Sequence, residues 1–352
     1  MRVEEFRGPQ FWEECAPHSF DDYPGLAEWA QKQKLLANHV LFRSSGSAGA
    51  LKWIALSKSA LRWSAEAVIR HLEISASDIY ALCLPVHHVG GFGVVARCEF
   101  SGARLAHFPQ AWSPVAFCDF CEAEKITLTS LVPTQVADLV SAGLSAPNSF
   151  RSIVVGGGHL NLELTAQARA LGWPVQPSFG MTETASQIAT GDNLPLIEGW
   201  EVRLNNELLE VRGGGLLTGY ITREDDDFCF CDPKVRGWFL TSDRVNLDGW
   251  NMIFAGRADR CVKVLGELVD LDALEGFWAK HTGSEVVVIA RPNDRRMHTL
   301  HLIYTGNGSE IERLNSQLSG PERIQSWKEL AALPRGPLGK INRLSMNQIQ
   351  FD

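Results

Sequence analysis

Between residues 152 and 178 a buried strand, a glycine break, a capped helix and a second strand follow one another, and this run limits the fold more than any other. Ser152-Ile153-Val154-Val155 is a short apolar segment that stops at Gly156-Gly157-Gly158. Asn161 offers a side-chain cap to a helix that Gly172 ends, and Val175 to Ser178 is the next strand. The same alternation precedes it. Residues 26–37 read as a helix, His39-Val40-Leu41-Phe42 as a strand, Leu82-Cys83-Leu84-Pro85 as a strand end, and Ile126 to Leu131 as a strand. Strands alternating with helices predict an α/β sheet whose ligand sites lie in loops at strand C-termini.

The pattern changes after residue 195. Trp200 to Leu204 and Glu207 to Val211 form a hairpin pattern around Asn205-Asn206, and a second hairpin turns at Asp248-Gly249. This is a β-rich subdomain. Beyond Gly256-Arg257-Ala258-Asp259-Arg260 the chain returns to mixed α+β, with a helix near 270–280 and a strand at 285–290. The boundary is placed near Asp259, giving a large domain over residues 1–258 and a small one over 259–352.

With 352 residues, 45% of them hydrophobic, the chain can bury the cores of two domains. A net charge of −8 argues against nucleic acid or an anionic membrane as the main partner, so any polyanion must be held by a local site. Apolar runs such as Val286 to Ala290 are too short to span a bilayer, and the start lacks a signal-peptide core; a soluble cytoplasmic protein is expected. Oligomeric state stays open, a homo-oligomer included. Eight cysteines in so long a chain predict no disulfide framework. Cys118 and Cys121 have zinc-knuckle spacing, but Ser113-Pro114 reads as a helix start that puts Val115, Cys118 and Cys121 on one apolar stripe. No histidine is suitably spaced to complete a zinc site.

Five segments carry candidate chemistry. Ser44-Ser45-Gly46-Ser47-Ala48-Gly49-Ala50-Leu51-Lys52 follows a strand and suits a phosphate: glycines admit backbone N–H groups, serines donate and Lys52 neutralises. It lacks the G-K-[ST] of a P-loop. Gly156-Gly157-Gly158 lets bare backbone lie against a base. Pro177-Ser178-Phe179-Gly180-Met181-Thr182-Glu183-Thr184-Ala185-Ser186 supplies an aromatic for stacking, a hydroxyl for a phosphate and a carboxylate for Mg²⁺. Trp238 to Asp243 puts an aspartate just past a strand, suited to ribose hydroxyls, with Arg257 a short interval later. Pro334 to Arg343 holds Lys340 in a Gly/Pro loop. Taken singly, each has a plain alternative: a tight turn, a solvated hairpin charge, a basic tail.

Together and in order, these motifs resemble the acyl-adenylate-forming superfamily of acyl-CoA synthetases, adenylation domains and beetle luciferases, from about residue 39 to 345. Leu84-Pro85-Val86-His87-His88-Val89-Gly90-Gly91-Phe92-Gly93-Val94-Val95-Ala96-Arg97 and Ser130-Leu131-Val132-Pro133-Thr134-Gln135 look most like the 2-succinylbenzoate–CoA ligases of menaquinone and phylloquinone synthesis. The resemblance implies a large N-terminal domain of α/β subdomains plus a β-rich subdomain, and a small, mobile α+β C-terminal domain. It implies ATP, Mg²⁺ and coenzyme A as co-substrates and a small carboxylic acid as the group activated. Ser44, Ser45, Gly46, Ser47, Gly49 and Lys52 would take the phosphates. Phe179, flanked by Ser178 and Gly180, would stack on adenine beside Gly156, Gly157 and Gly158. Thr182 would bond the α-phosphate, Glu183 hold Mg²⁺, and Asp243 with Arg257 take the ribose. His88 and Thr134 would line the acyl site, and Arg97 would face a distal carboxylate. Lys340 would catalyse adenylation, and Asp259 would be the hinge that withdraws it and brings Lys263 to Glu267 forward for thioester formation.

Three departures from the family pattern stand out. Ala48 replaces a threonine and Leu51 a proline in the phosphate loop, Val264-Leu265-Gly266-Glu267 keeps one glycine where two are usual, and only about forty residues precede the phosphate loop, which suggests a trimmed but active enzyme. A ligase for another aryl or acyl acid, or a non-catalytic nucleotide-binding relative, remains as an alternative.

Overall fold

The structure is a computed structural model that describes residues 3–44, 52–224, 227–336, 339 and 341–351. Its centre is a six-stranded sheet in the order Arg104–His107, Ile79–Leu82, Leu128–Leu131, Ser152–Val155, Val175–Met181, Ser186–Thr190. The first five strands run parallel and the last is antiparallel. Their pleat separates two cores. Tyr80, Leu82, Leu128 and Val154 point to one face, where helices Lys58–His71 and Val89–Ser101 pack. Ala81, Ile153, Val155 and Val175 point to the other, beneath helices Pro114–Glu124, Pro133–Ser141 and Leu162–Ala170. Coverage on both faces explains why these strands read as continuous apolar runs.

Local chemistry sets the ends of these helices. Asn161 Oδ1 accepts from the Leu164 N–H at 2.7 Å, and Gly172 takes φ 84° just past the helix end. Ser113 caps the helix that opens with Pro114. The expected stripe on that helix is corrected, because Val115 is exposed while Phe117 and Cys121 carry the buried face. A spacing of four residues, rather than three and three, matches the helical period here. The helix predicted over residues 26–37 is two pieces, Leu26–Lys32 and a 3₁₀ turn Lys34–Leu36, separated at Gln33 in extended conformation.

A five-stranded sheet joins His18–Ser19, His39–Ser44, Lys52–Ser57, Gly219–Glu224 and Asp227–Cys231 in that order. A four-stranded antiparallel sheet holds Glu201–Asn205, Leu208–Arg212, Phe239–Asp248 and Asn251–Arg257. Both predicted hairpins form, each with its turn one residue later than expected. Asn205 pairs with Leu208, so Asn206 and Glu207 form the loop at φ 49° and 68°; Asp248 pairs with Asn251 around Gly249-Trp250. The two consecutive positive φ values at Asn206 and Glu207 are those of a type I′ turn, whereas in the second turn Gly249 has φ 59° and Trp250 is not among the positive-φ residues.

Residues 261–351 build their own cores. The hairpin Cys261–Val264 and Glu267–Asp270, the helix Leu271–Thr282 and the sheet Val286–Asn293, Met297–Tyr304, Ile324–Glu329 enclose Trp278 and Leu302. A second cluster joins Ile289 and Ile303 to Leu333 and Met346. The Glu275 carboxylate ties the unit together. It accepts from Arg260 at 2.6 Å, from both nitrogens of the Arg343 fork at 2.7 Å, and from the Val288 N–H at 2.8 Å. Among the described residues no helix is long and apolar enough to cross a membrane.

Candidate active site

Loops from the C-terminal ends of the central strands meet on one side of the sheet. After Ser152–Val155 comes Gly156 to Gly158, where Gly157 has φ 78°. A Cβ at Gly158 would touch Pro133 Cγ at 3.4 Å, so this turn lies on the Pro133-Thr134 corner that follows Leu128–Leu131. The C-terminal segment reaches the same corner: a Cβ at Gly339 would fall 2.5 Å from Thr134 Oγ1. Residue 340 itself, like Ser45, Gly46, Ser47, Ala48 and Gly49 of the phosphate loop, lies outside the described residues.

The strand Val175–Met181 runs on past its predicted end and pairs with Ser186–Thr190 through a bulge between Phe179 and Gly180. Here only glycine fits, since a Cβ at Gly180 would sit 1.8 Å from the Ser186 carbonyl oxygen. Thr184, fully buried, fixes the following 3₁₀ turn by accepting from the Met181 N–H at 3.1 Å and donating to the Ser186 carbonyl at 2.9 Å. Thr182 and Glu183 are thereby presented on a rigid turn. Phe179 packs beside Phe254, ring centroids 6.0 Å apart, which ties this turn to the Phe239–Asp248/Asn251–Arg257 hairpin. Ser178 bonds within the sheet, to Thr190 Oγ1 at 3.0 Å.

Asp243 lies inside the strand Phe239–Asp248, one residue before a bulge, and not just past a strand end as expected. Its cross-strand partner is Arg257, whose Nη1 is 3.1 Å from Asp243 Oδ1. The Asp259 carboxylate takes the other side of that guanidinium at 2.9 and 2.7 Å. Asp243 is 4% exposed, and this burial, aided by the negative charges of Asp259 and Glu183, holds its carboxyl above the usual carboxylate range against the pull of Arg257.

The pairing of Glu183 was not foreseen. Tyr220 donates its hydroxyl to Glu183 Oε1 at 3.0 Å, while Lys52 Nζ stands 3.9 Å from the centre of the Tyr220 ring. Burial, followed by the Glu183 charge, pushes the Tyr220 hydroxyl pKa up, so it remains a donor. Lys52, Tyr220 and Glu183 thus form a chain from the phosphate-loop flank to the carboxylate proposed for Mg²⁺. A carboxylate oxygen set by a phenol is a hard ligand suited to that ion. Sequence spacing gives no signal for Tyr220, because its partner is 37 positions away.

In the segment expected to meet the acyl group, His88 is the N-terminal flank of helix Val89–Ser101, with the His87 ring 4.4 Å from its own. Arg97, two turns on, is only 1% exposed, which removes the surface-cation alternative. Its Nη1 donates to Tyr80 Oη at 3.2 Å and its Nη2 to Ser186 Oγ at 3.1 Å, while Nε is buried without a partner. Among the described residues no carboxylate pairs with it. The missing side chain at Gly93 leaves room for the fork, since a Cβ there would lie 3.1 Å from Nη2. Ser186 closes the quoted decapeptide, yet its role at Arg97 was missed, as was that of Tyr80.

The family model for the AMP-binding enzymes matches residues 13–206, more than half of the chain. The chain belongs to the AMP-binding enzyme family. Curated relatives include 2-succinylbenzoate–CoA ligase of Haemophilus influenzae, 29% identical over 75% of this chain and 59% of its own length. The ligase of that name from Staphylococcus epidermidis is 26% identical over 85% of this chain and 67% of its own length. This chain therefore spans about six tenths to two thirds of those relatives. Among solved structures, Bacillus subtilis o-succinylbenzoate CoA synthetase with its acyl-adenylate superposes at TM-score 0.77, covering 89% of this chain and 69% of that one at 22% identity. An arginine-to-lysine variant of Escherichia coli MenE with bound OSB-AMS gives TM-score 0.73 over 88% of this chain and 68% of that one, at 24% identity. These likenesses establish the adenylate-forming fold, with its α/β and β-rich parts.

Proposed function

We propose that this chain is an AMP-forming acid–CoA ligase acting on an aryl dicarboxylate of the 2-succinylbenzoate type. Arg97 carries the reading. A guanidinium sealed from water with only neutral acceptors is costly, and an anion delivered by a ligand offsets that cost. A dicarboxylic acid has one carboxylate to activate and a second to meet the fork. The fork is closed to solvent in this conformation, so the acid must displace side chains at the pocket wall to reach it. The names of the curated relatives support the same substrate class.

In the first half-reaction the acid's carboxylate attacks the α-phosphorus of ATP and pyrophosphate leaves. In the second, the CoA thiolate attacks the acyl carbonyl and AMP leaves. The chain's task is to hold two anions together and to meet charge on the phosphate with oriented donors. Thr182 donates to the α-phosphate, Lys52 offsets phosphate charge, and Asp243, held by Arg257, accepts from the ribose hydroxyls. Glu183, set by Tyr220, would hold Mg²⁺, which supplies further charge screening. Phe179 and Gly156 to Gly158 take the base; His88 and Thr134 border the acyl group. Lys340 bridges the carboxylate and the phosphate, and residues 259–352 pivot at Asp259 between the two steps. With ATP and CoA as co-substrates, the cytoplasm is the compartment proposed for the reaction.

Pyrophosphate release tests this directly. With ATP and Mg²⁺, 2-succinylbenzoate should support turnover and benzoate should not. Arg97→Met should raise the KM for 2-succinylbenzoate about tenfold to a hundredfold, the scale of hydrogen bonds to a charged group. Equal turnover of the monocarboxylate, or an unchanged KM in the variant, would sink the reading.

A further inference from the structure

We infer that Tyr80 is a positioning residue that sets acid specificity by aiming the Arg97 fork without neutralising it. This rests on the reading of Arg97 as the receptor for the acid's second carboxylate. Tyr80 is fully buried on the central strand Ile79–Leu82, a rigid support. Its oxygen accepts from Arg97 at 3.2 Å and also shares a hydrogen bond with Ser130 Oγ, 2.9 Å away on the neighbouring strand Leu128–Leu131, an acceptor within reach of its own proton. The guanidinium can only donate, so the phenol accepts from it; donation onward from phenol to serine then satisfies the phenol's own proton. Ser186 holds the other arm at 3.1 Å, from a residue whose φ of 145° is locked by the Thr184 bond to its carbonyl. Two arms are thus pinned by two rigid elements.

Both pins are hydroxyls. Had either been a carboxylate, the pair would be neutral and an incoming anion would gain little from it. Hydroxyls satisfy two of the five guanidinium N–H groups and leave the full positive charge with three donors in hand. The unpartnered Nε is one of them. The site therefore prefers acids bearing a second negative group over acids of the same shape that lack it, and the phenol fixes the plane in which the remaining donors lie.

Steady-state kinetics of the full chain separate the possibilities. Tyr80→Phe keeps the ring and the packing but removes the acceptor. Its KM for 2-succinylbenzoate should rise about tenfold, the scale of one hydrogen bond to a charged group, with kcat and the KM for ATP within about twofold. Ser130→Ala, which deprives the phenol of its acceptor, should shift the same KM in the same direction by less. An unchanged KM in Tyr80→Phe beside a raised KM in Arg97→Met would overturn the role of Tyr80 and leave the proposed function standing. An unchanged KM in both would overturn both. Parallel loss of kcat, ATP affinity and melting temperature in Tyr80→Phe would make it a packing residue, and Ser130→Ala with unaltered kinetics would then confirm that outcome.

Discussion

The Asp243 carboxylate sits behind the Arg257 guanidinium with Glu183 and Asp259 adding to the local negative charge. A carboxyl whose folded pKa is raised favours the native state at low pH, and that contribution is lost as pH rises through the folded value. At neutral pH the parent therefore carries a desolvation cost that an asparagine would not. Asp243→Asn should melt no lower than the parent at pH 7, with no relative gain at about pH 3, where both side chains are neutral. Its KM for ATP should nevertheless rise at least tenfold, by about the worth of a charge-assisted bond to the ribose. Thermal melts at both pH values and ATP kinetics check the two halves; a large loss of stability at pH 7 would show that Arg257 needs this partner more than burial opposes it. Asp243 itself was legible from its motif. Its burial and bulge were not, because they depend on Arg257 being aligned across a hairpin whose turn lies one residue later than its dipeptide suggests. Tyr80 and Tyr220 left no trace in the sequence for a similar reason: each is a strand residue that meets its partner on a different element, a helix for Tyr80 and a 3₁₀ turn for Tyr220, and nothing in local periodicity encodes that meeting.

Among the elements, the central sheet is fastened at its N-terminal edge by Asp78. This carboxylate accepts from Arg151 Nε and Nη2 at 2.8 Å, from Thr127 Oγ1 at 2.8 Å and from the Ser75 N–H at 2.9 Å. Hydrogen bonding to Arg151 is the main cause that holds its carboxyl at about 2. A depressed folded pKa contributes stability above the unfolded value that is lost as pH falls through the folded one. Asp78→Asn should therefore destabilise by roughly 1–2 kcal/mol at pH 7, discounted for the partly exposed Arg151, and the difference should shrink between about pH 4 and 2. Denaturant titrations across that range test it; a difference independent of pH would assign the effect to geometry instead. Most of this sheet was readable in advance, since four-residue runs such as Ser152–Val155, bounded by glycine and an asparagine cap, admit few other placements. The helix over 26–37 was less so, because no glycine or proline marks the break at Gln33.

For the whole molecule, the decisive relation is between the large unit and the C-terminal one. Gly339 lies against Thr134 at the strand-end loops, an approach in keeping with the role proposed for Lys340 in adenylation. Lys340→Ala should lower pyrophosphate release by at least about a hundredfold, the loss expected when a preorganised charge is removed from a transition state. Thioester formation from a supplied acyl-adenylate should stay within a few fold, and equal loss of both half-reactions would remove the proposed role. The clamp at Glu275 bears on how such an arm travels. One side chain grips Arg260, next to the proposed pivot, and Arg343, three positions past Lys340 in the chain, so these two points share a common anchor. If the proposed pivot at Asp259 operates, this shared anchor makes the small unit turn as a crank, so that a few backbone torsions beside the pivot would set where its far end goes.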